Sequence, residues 1–228
     1  MVTAVFPAAG QGKRMQAGKN KVLLELLGKP ILVHTLERFS ASQQVDFLVV
    51  IVAEEEVAQI EQMLSEVTGL KPYVVVAGGS ERQYSIANGL AAMPAETEIV
   101  LVHDAARPLV SLSVIENVIA AARAEGSAIA AVPEKNTIKV VDEEGFVKET
   151  PNRAVLWAVQ TPQGFRKEIL LEAYQRAGKD GFLGTDDASL VERMGCPVQV
   201  VASSYRNIKV TTPEDLLIAE AFMKEQEL

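Results

Sequence analysis

The stretch VTAVFPAAGQGKRM, residues 2–15, joins an apolar run to a turn with two glycines and two adjacent cations. The run indicates a buried β-strand, and glycine in the turn lets the backbone approach a ligand because it has no Cβ. Backbone N–H groups in such a turn form a cradle for phosphate, to which Lys13 and Arg14 add positive charge. The stretch predicts a strand that opens onto an anion site, although a plain strand-to-helix connection has a similar pattern.

The glycine turn matches neither of two common phosphate-binding fingerprints. Met15 stands where the dinucleotide fingerprint Gly-x-Gly-x-x-Gly needs its third glycine, which disfavours a Rossmann dehydrogenase. GQGKRM also lacks the spacing and the hydroxyl of a P-loop.

Composition narrows the classes of protein that fit. The chain has 228 residues, 48% of them apolar, which suits one domain over residues 1–228. The net charge of −8 argues against nucleic-acid binding, which relies on a basic face, but leaves room for a small anionic ligand in a cationic cleft. The single cysteine, Cys196, excludes an intrachain disulfide framework and a cysteine zinc cluster.

The chain carries no signal-peptide pattern, and no apolar run approaches the roughly 18 residues needed to span a bilayer. We expect a cytoplasmic enzyme or binding protein without a membrane or nucleic-acid partner.

Short β-rich runs alternate with segments of helical spacing. Candidate strands are VTAVF (2–6), FLVVIVA (47–53), YVVVAGG (73–79), EIVLVHD (98–104), SAIAAVP (127–133) and VQVVA (198–202). A capping box from Ser113 to Glu116 opens one helix, which closes at Gly126, and Thr212 caps another that begins at Pro213. This alternation predicts an α/β fold with a mostly parallel sheet covered on both faces.

One segment interrupts the alternation. Residues 137–150, TIKVVDEEGFVKET, read as two short strands around Asp-Glu-Glu-Gly, within an excursion over residues 134–154. A hairpin with so few core residues is marginal alone in water. It either lies on its own domain or grips a second subunit.

Ligands of open α/β sheets bind at the carboxyl ends of the strands, where this chain places Gly, Lys, Arg, Ser and Asp. Asp104 suits a Mg²⁺ ion shared with ligand phosphates, because Mg²⁺ prefers hard oxygen ligands; it could equally cap its turn and pair with Arg107. No Ser-His-Asp or Cys-His arrangement is apparent, and none is needed if the nucleophile is a phosphate, which is largely dianionic at neutral pH.

Several motifs together resemble the 2-C-methyl-D-erythritol 4-phosphate cytidylyltransferases of the non-mevalonate isoprenoid pathway. In chain order they are PAAGQGKRM, GGSERQYS, HDAARP, NRAVLWAVQTPQGF, TDDAS and NIKVTTPEDL. The resemblance implies a Rossmann-like three-layer nucleotidyltransferase fold with a protruding β-hairpin arm. It also implies transfer of CMP from CTP to methylerythritol phosphate with a divalent cation.

The resemblance assigns roles residue by residue. It implies that Arg14 and Lys21 stabilise the transition state, that Arg153 and Lys209 position the acceptor phosphate, and that Asp104 is associated with the metal. Nucleotide-binding positions would be Ala8, Ala9, Gly10, Gly12, Lys13, Gly78, Arg82, Ser85 and Asp104. Acceptor-binding positions would be Asp104, Ala105, Arg107, Thr137, Arg153, Thr161 and Lys209. The arm would swap across a homodimer and deliver Thr137, Arg153 and Thr161 to the partner's site.

Three positions depart from the family's usual pattern, namely Asn20, Ser80 and Asn136, where Pro, Asp and Asp are common. Two other readings stay open at this point. A ribitol 5-phosphate cytidylyltransferase, or another nucleotidyltransferase of this fold, would share the base, metal and phosphate sites. A non-catalytic nucleotide sensor would have no need of a second phosphate site.

Overall fold

The structure, a computed structural model, describes residues 1–10 and 20–226. The strands of this part of the chain are β1 (Val2–Pro7), β2 (Glu25–Leu26), β3 (Lys29–Pro30), β4 (Phe47–Val52), β5 (Tyr73–Ala77), β6 (Ile99–Val102), β7 (Ser127–Pro133), β8 (Val140–Val141), β9 (Val147–Glu149), β10 (Trp157–Arg166) and β11 (Gln199–Ala202). Its α-helices are α1 (Ile31–Ser40), α2 (Val57–Ser65), α3 (Arg82–Ala91), α4 (Leu112–Glu125), α5 (Lys167–Asp180), α6 (Asp187–Arg193) and α7 (Pro213–Gln226).

The main sheet has seven strands in the order β11-β7-β10-β6-β1-β4-β5. Strands β6, β1, β4 and β5 pair in parallel, and β11 pairs in parallel with β7. β10 lies antiparallel between β6 and β7. The prediction of a mostly parallel α/β sheet is therefore confirmed.

Helices cover both faces of the sheet and make three layers. Alternate residues of β1 divide between two cores: Ala4 and Phe6 pack with α1, α2 and α4, whereas Val5 packs with α3, α5 and α6. Strands buried on both faces are continuously apolar for this reason. A smaller cluster holds α7 through Val210, Ala219 and Met223. No helix in residues 1–10 and 20–226 is both long enough and apolar enough to cross a bilayer.

The helix ends only partly follow the sequence signals. The predicted capping box from Ser113 to Glu116 is wrong: Ser111 is the N-cap of α4, and its side chain accepts a hydrogen bond from the Val114 N–H. Because N-cap serines two residues apart give similar patterns, sequence alone favoured the one with a glutamate three positions on. The end of α4 at Gly126, where φ is +93°, agrees with the prediction.

Sequence patterns do not predict β10, the antiparallel strand. It contains Pro162 and Gly164, which are uncommon within sheets. The proline lies in a bulge between Val159 and Gln163. A Cβ on Gly164 would lie 2.7 Å from Val118, so glycine allows α4 to pack closely on this strand.

The predicted hairpin is present as β8 and β9, joined by a turn with Gly145 at a φ of +88°. Its apolar side chains are exposed: Phe146 is 73% accessible and Val147 57%. Among the described residues the hairpin therefore has no core to pack against, and we call residues 134–154 the arm.

Candidate active site

A cavity of about 250 Å³ lies at the carboxyl ends of the neighbouring parallel strands β1 and β6. Six predicted nucleotide-site residues line it, namely Ala8, Ala9, Gly10, Arg82, Ser85 and Asp104. Four predicted catalytic or acceptor-site residues also line it, namely Lys21, Asp104, Ala105 and Lys209. Segments separated by almost two hundred residues thus meet at the sheet edge where α/β proteins bind ligands.

Gly78 lets two walls of the cavity come together. A Cβ at this position would lie 2.9 Å from the Ala9 Cβ and 2.9 Å from the Ser85 Oγ, closer than real Cβ atoms approach their neighbours. The Ser85 hydroxyl in turn accepts a hydrogen bond from the Gly79 N–H at 3.0 Å. Gly78 therefore sets the spacing between the turn after β1 and the start of α3.

Asn20 anchors the short 3-10 turn that carries Lys21. Its side-chain amide donates hydrogen bonds to the Ala8 carbonyl at 2.7 Å and to Glu56 Oε2 at 2.8 Å. Its side-chain oxygen accepts a hydrogen bond from the Val22 N–H at 3.3 Å. One side chain thus ties Lys21 to the end of β1. The predicted residues Gly12, Lys13 and Arg14 lie outside the described residues.

Asp104 is the acidic centre of the cavity. Arg107 Nε donates to its Oδ2 at 3.0 Å, and Lys209 Nζ lies 3.1 Å from its Oδ1. Burial opposes ionisation of Asp104, but the charges of Lys209, Arg107 and Arg82 outweigh it and hold the pKa of the carboxyl well below its ordinary value. Asp104 is therefore a carboxylate at neutral pH. Its pairing with Arg107, one of the two alternatives that the sequence left open, is present, and the metal role stays a prediction.

His103 and Thr161 hold the backbone of Asp104. The Thr161 hydroxyl accepts a hydrogen bond from the Asp104 N–H at 3.0 Å and lies 3.1 Å from His103 Nδ1. His103 Nε2 faces the Arg107 carbonyl at 3.2 Å, and a carbonyl only accepts, so Nε2 carries the proton. Nδ1 then accepts the Thr161 hydroxyl proton. Burial lowers the pKa of His103 to about 3, which keeps the ring neutral and this chain of hydrogen bonds intact.

Asn207 joins the same group of residues from the segment before α7. Its side-chain amide nitrogen donates a hydrogen bond to the Thr161 main-chain carbonyl at 2.9 Å. Its main-chain carbonyl accepts a hydrogen bond from Arg107 Nη1 at 2.8 Å. These two contacts tie Thr161 and Arg107 to the segment before α7, each through a main-chain carbonyl.

Arg82 lies on the cavity wall and forms an ion pair with the buried carboxylate of Asp187. Its Nη2 donates to Asp187 Oδ2 at 2.7 Å, and the Tyr174 hydroxyl donates to Asp187 Oδ1 at 2.5 Å. Burial opposes the positive charge of Arg82, but the attraction of Asp187 outweighs it and raises the pKa of the guanidinium. Arg82 thus carries a full charge whose partner is buried.

Two predicted residues of the acceptor site, Thr137 and Arg153, lie on the arm. Neither of them lines the cavity. Both are exposed, and Arg153 Nη1 donates to the Lys135 carbonyl at 2.7 Å. Within a single chain the structure does not bring these two residues to the cavity.

Sequence reasoning assigned no role to Asn207, Asp187 or Tyr174. The motifs NIKVTTPEDL and TDDAS contain the first two, and their place in these motifs was the available signal. Tyr174 lies within a helix of ordinary amphipathic pattern, so nothing in the sequence distinguishes it.

Comparison with known proteins places these features in a family. Residues 2–225 match the family model for 2-C-methyl-D-erythritol 4-phosphate cytidylyltransferase. The chain is 51% identical to the enzyme of that name from Bacillus cereus over 226 residues, which cover 99% of each chain. It is 52% identical to the one from Geotalea uraniireducens, covering 98% of this chain and 97% of the relative.

Solved structures agree with the sequence relatives. The 4-diphosphocytidyl-2C-methyl-D-erythritol synthase of Anaerococcus prevotii superposes with a TM-score of 0.88 at 31% identity, covering 98% of this chain and 96% of that one. The Thermus thermophilus cytidylyltransferase superposes with a TM-score of 0.79 at 32% identity, covering 97% and 98%. By sequence over nearly its whole length, and by the fold that carries the cavity, the chain belongs to the 2-C-methyl-D-erythritol 4-phosphate cytidylyltransferase family.

Proposed function

We propose that the protein transfers CMP from CTP to 2-C-methyl-D-erythritol 4-phosphate. An oxygen of the acceptor phosphate attacks the α-phosphorus of CTP in line, and the bond to the β,γ-pyrophosphate breaks. The products are 4-(cytidine 5′-diphospho)-2-C-methyl-D-erythritol and pyrophosphate, which leaves with the bonding electron pair. The observation that carries the proposal is one cavity in which Lys21, Lys209 and Asp104 meet the backbone turn after β1.

The nucleoside would occupy the wall built from the turns after β1 and β5. The close approach that Gly78 allows between Ala9 and Ser85 gives this wall a fixed width, which suits discrimination between a pyrimidine and a purine. The proposed nucleotide-binding positions on this wall are Ala8, Ala9, Gly10, Gly78, Arg82 and Ser85, together with Gly12 and Lys13.

Lys21 would act on charge that develops during transfer. The acceptor phosphate is dianionic at neutral pH, so the enzyme needs no general base but has to bring anions together. A lysine held against the α-phosphate stabilises the charge of the transition state. Arg14 is the proposed second residue in this role, and Asn20 provides the geometry by tethering Lys21 to the end of β1.

Asp104 fits a divalent ion such as Mg²⁺. Mg²⁺ in nucleotide enzymes uses one or two carboxylates and completes its shell with substrate phosphates and water, so the ionised carboxylate of Asp104 is a suitable donor. The described residues contain no group of three or more metal-ligating side chains, which agrees with an ion shared with substrate. Such an ion would neutralise the triphosphate. Asp104 would hold it, with Arg107 and Lys209 maintaining the carboxylate in its charged form.

The acceptor would bind beside Lys209, with Asp104, Ala105, Arg107 and Thr161 near it. We infer that Arg153 and Thr137 reach the cavity of a second subunit, since they lie on the exposed arm of their own. The apolar side chains of the arm, including Phe146 and Val147, supply a surface that a homodimer would bury.

Pyrophosphate release in the presence of Mg²⁺ tests the function. CTP, UTP, ATP and GTP are each combined with methylerythritol phosphate and, separately, with ribitol 5-phosphate. We expect release with CTP and methylerythritol phosphate only. Preference for ribitol phosphate, or release from none of the combinations, would refute the proposal.

A further inference from the structure

Asp187 is a buried carboxylate with no role in the mechanism described above. It begins α6 directly after the N-cap residue Asp186, and its side chain is 0% exposed. Its two oxygens accept hydrogen bonds from Arg82 Nη2 and from the Tyr174 hydroxyl. Burial and the neighbouring charge of Asp187 raise the pKa of Tyr174 well above its ordinary value, so the hydroxyl keeps the proton that it donates.

Arg82 reaches from this buried pair to the cavity. It is the first residue of α3, its side chain is 37% exposed, and it lines the cavity with Ser85, one turn further along the helix. The charge of Arg82 also helps to lower the pKa of Asp104, and Asp104 helps to raise the pKa of Arg82, so the arginine interacts electrostatically with both carboxylates.

Stability alone does not account for this cluster. Taking an ion pair out of water costs about as much as the pair regains, and apolar residues of similar volume often stabilise a protein as well or better. What the cluster does provide is geometry. An arginine side chain on a cavity wall has several accessible rotamers. A hydrogen bond to a buried carboxylate that Tyr174 also holds restricts the arginine to a single rotamer.

We propose that Asp187 and Tyr174 are positioning residues for nucleotide binding, with Asp187 fixing the guanidinium of Arg82 against the nucleotide and Tyr174 fixing Asp187. The inference rests on the proposed nucleotide site. It requires that Asp187 affects CTP binding only by positioning Arg82. The effects of substitutions at the two positions on the KM for CTP must therefore not multiply.

A double-mutant cycle tests this requirement. Wild type, Arg82→Ala, Asp187→Asn and the double variant are compared by the KM for CTP, the KM for methylerythritol phosphate and the thermal midpoint. We expect each single variant to raise the KM for CTP about tenfold, the order of a lost charged hydrogen bond, and the double variant to raise it no further. The KM for the acceptor should stay within about twofold, because the contact that is lost is to the nucleotide. Asp180→Asn, which breaks the exposed pair with Arg193 at 2.8 Å, is the matched control and should change neither KM.

The thermal midpoint separates positioning from a purely structural role. Arg82→Ala leaves a buried charge unpaired, so the double variant should be more stable than Arg82→Ala while its KM for CTP stays equally poor. An unchanged KM for CTP in Asp187→Asn, or penalties that multiply to about a hundredfold, would overturn the inference. If Asp187→Asn does not fold, the cycle is run with Tyr174→Phe, which keeps the ion pair. Increases in the KM for CTP that multiply in the Arg82→Ala, Tyr174→Phe double variant would equally overturn the inference. Turnover by the wild type tests the proposed function itself, so the two failures are distinguishable.

Discussion

Lys209 Nζ lies 3.1 Å from Asp104 Oδ1. The other oxygen of this carboxylate, Oδ2, accepts a hydrogen bond from Arg107 Nε at 3.0 Å. Asp104 follows β6, whereas Lys209 comes from the segment before α7, so this contact joins two distant parts of the chain across the cavity. In the proposed function, the acceptor phosphate would meet a lysine that is already paired, and Asp104 would keep that lysine where the phosphate binds.

Replacing Lys209 by Ala should weaken the acceptor selectively. We expect the KM for methylerythritol phosphate to rise about tenfold or more, since a charged contact to phosphate is lost, while the KM for CTP changes by less than about threefold. Steady-state kinetics with each substrate varied in turn measures both values. Lys224→Ala, which removes an exposed partner of Glu220, should leave both unchanged. A rise confined to the KM for CTP would contradict the role of Lys209.

Acid should destabilise the protein through His103. The pKa of His103 is about 3 in the folded chain, against an ordinary value of 6.5 in the unfolded one, because of burial. Between these pH values the unfolded state binds the extra proton, so this part of the stability is complete above about pH 6.5 and falls as the pH falls, by up to about 1.4 kcal/mol per pH unit.

Urea unfolding of His103→Gln between pH 7 and pH 5 measures this contribution. We expect the variant to be less stable than wild type at pH 7 and to lose less stability on acidification. His34→Gln is the matched control, since His34 is the chain's other histidine, is half-buried and has a smaller lowering of its pKa through burial. Equal pH slopes for wild type and His103→Gln would show that the ring is not the neutral link between Thr161 and Arg107.

Asn20 should influence catalysis through Lys21. In Asn20→Ala the turn loses its hydrogen bonds to Ala8 and Val22, and we expect kcat to fall several-fold with little change in the KM for the acceptor. Asn20→Pro should retain more activity than Asn20→Ala, because the φ of −59° at this position suits proline. Ser111→Ala, which removes the N-cap of α4 at a residue that does not line the cavity, controls for loss of a cap as such. A greater loss in the proline variant than in the alanine variant would refute this account.

The arm should be required for association and for turnover. Phe146→Asp places a charge on a side chain that is 73% exposed in one subunit and that we expect a partner to cover. Light scattering should then report a monomer, with CTP binding retained and turnover reduced at least tenfold, because Arg153 and Thr137 no longer reach a second cavity. Leu217→Asp on α7, at 68% exposure, is the matched control and should remain dimeric and active. A monomeric Phe146→Asp with full turnover would exclude a shared site.

The sheet was predictable where local sequence and final environment agree. Strands such as β1 and β4 are buried on both faces, and their apolar runs are enough to predict them from the sequence. β10 was not predictable, because the properties that suit it to its position are tertiary. Gln163 is 1% exposed, yet Asp186 and the Ala188 N–H satisfy its amide. A polar residue of this kind reads as a loop until its partners are known.

The candidate site divides in the same way. Of the groups proposed to act on a ligand, Asp104 follows the end of a strand and could be found from topology, whereas Lys21 lies on a 3-10 turn and its role was assigned from the family resemblance. Residues that hold those groups, such as Asp187 and Asn207, depend on contacts across 100 residues or more. Sequence spacing carries no record of such contacts without the fold.

The bulge in β10 has a consequence for affinity. Thr161 lies in a strand that pairs on both edges, and its hydroxyl accepts a hydrogen bond from the Asp104 N–H. The loop after β6 therefore loses its conformational entropy when the chain folds and not when substrate arrives. If Asp104, Ala105 and Arg107 contact substrate as proposed, preorganisation of this kind leaves more of the energy of those contacts available as observed binding.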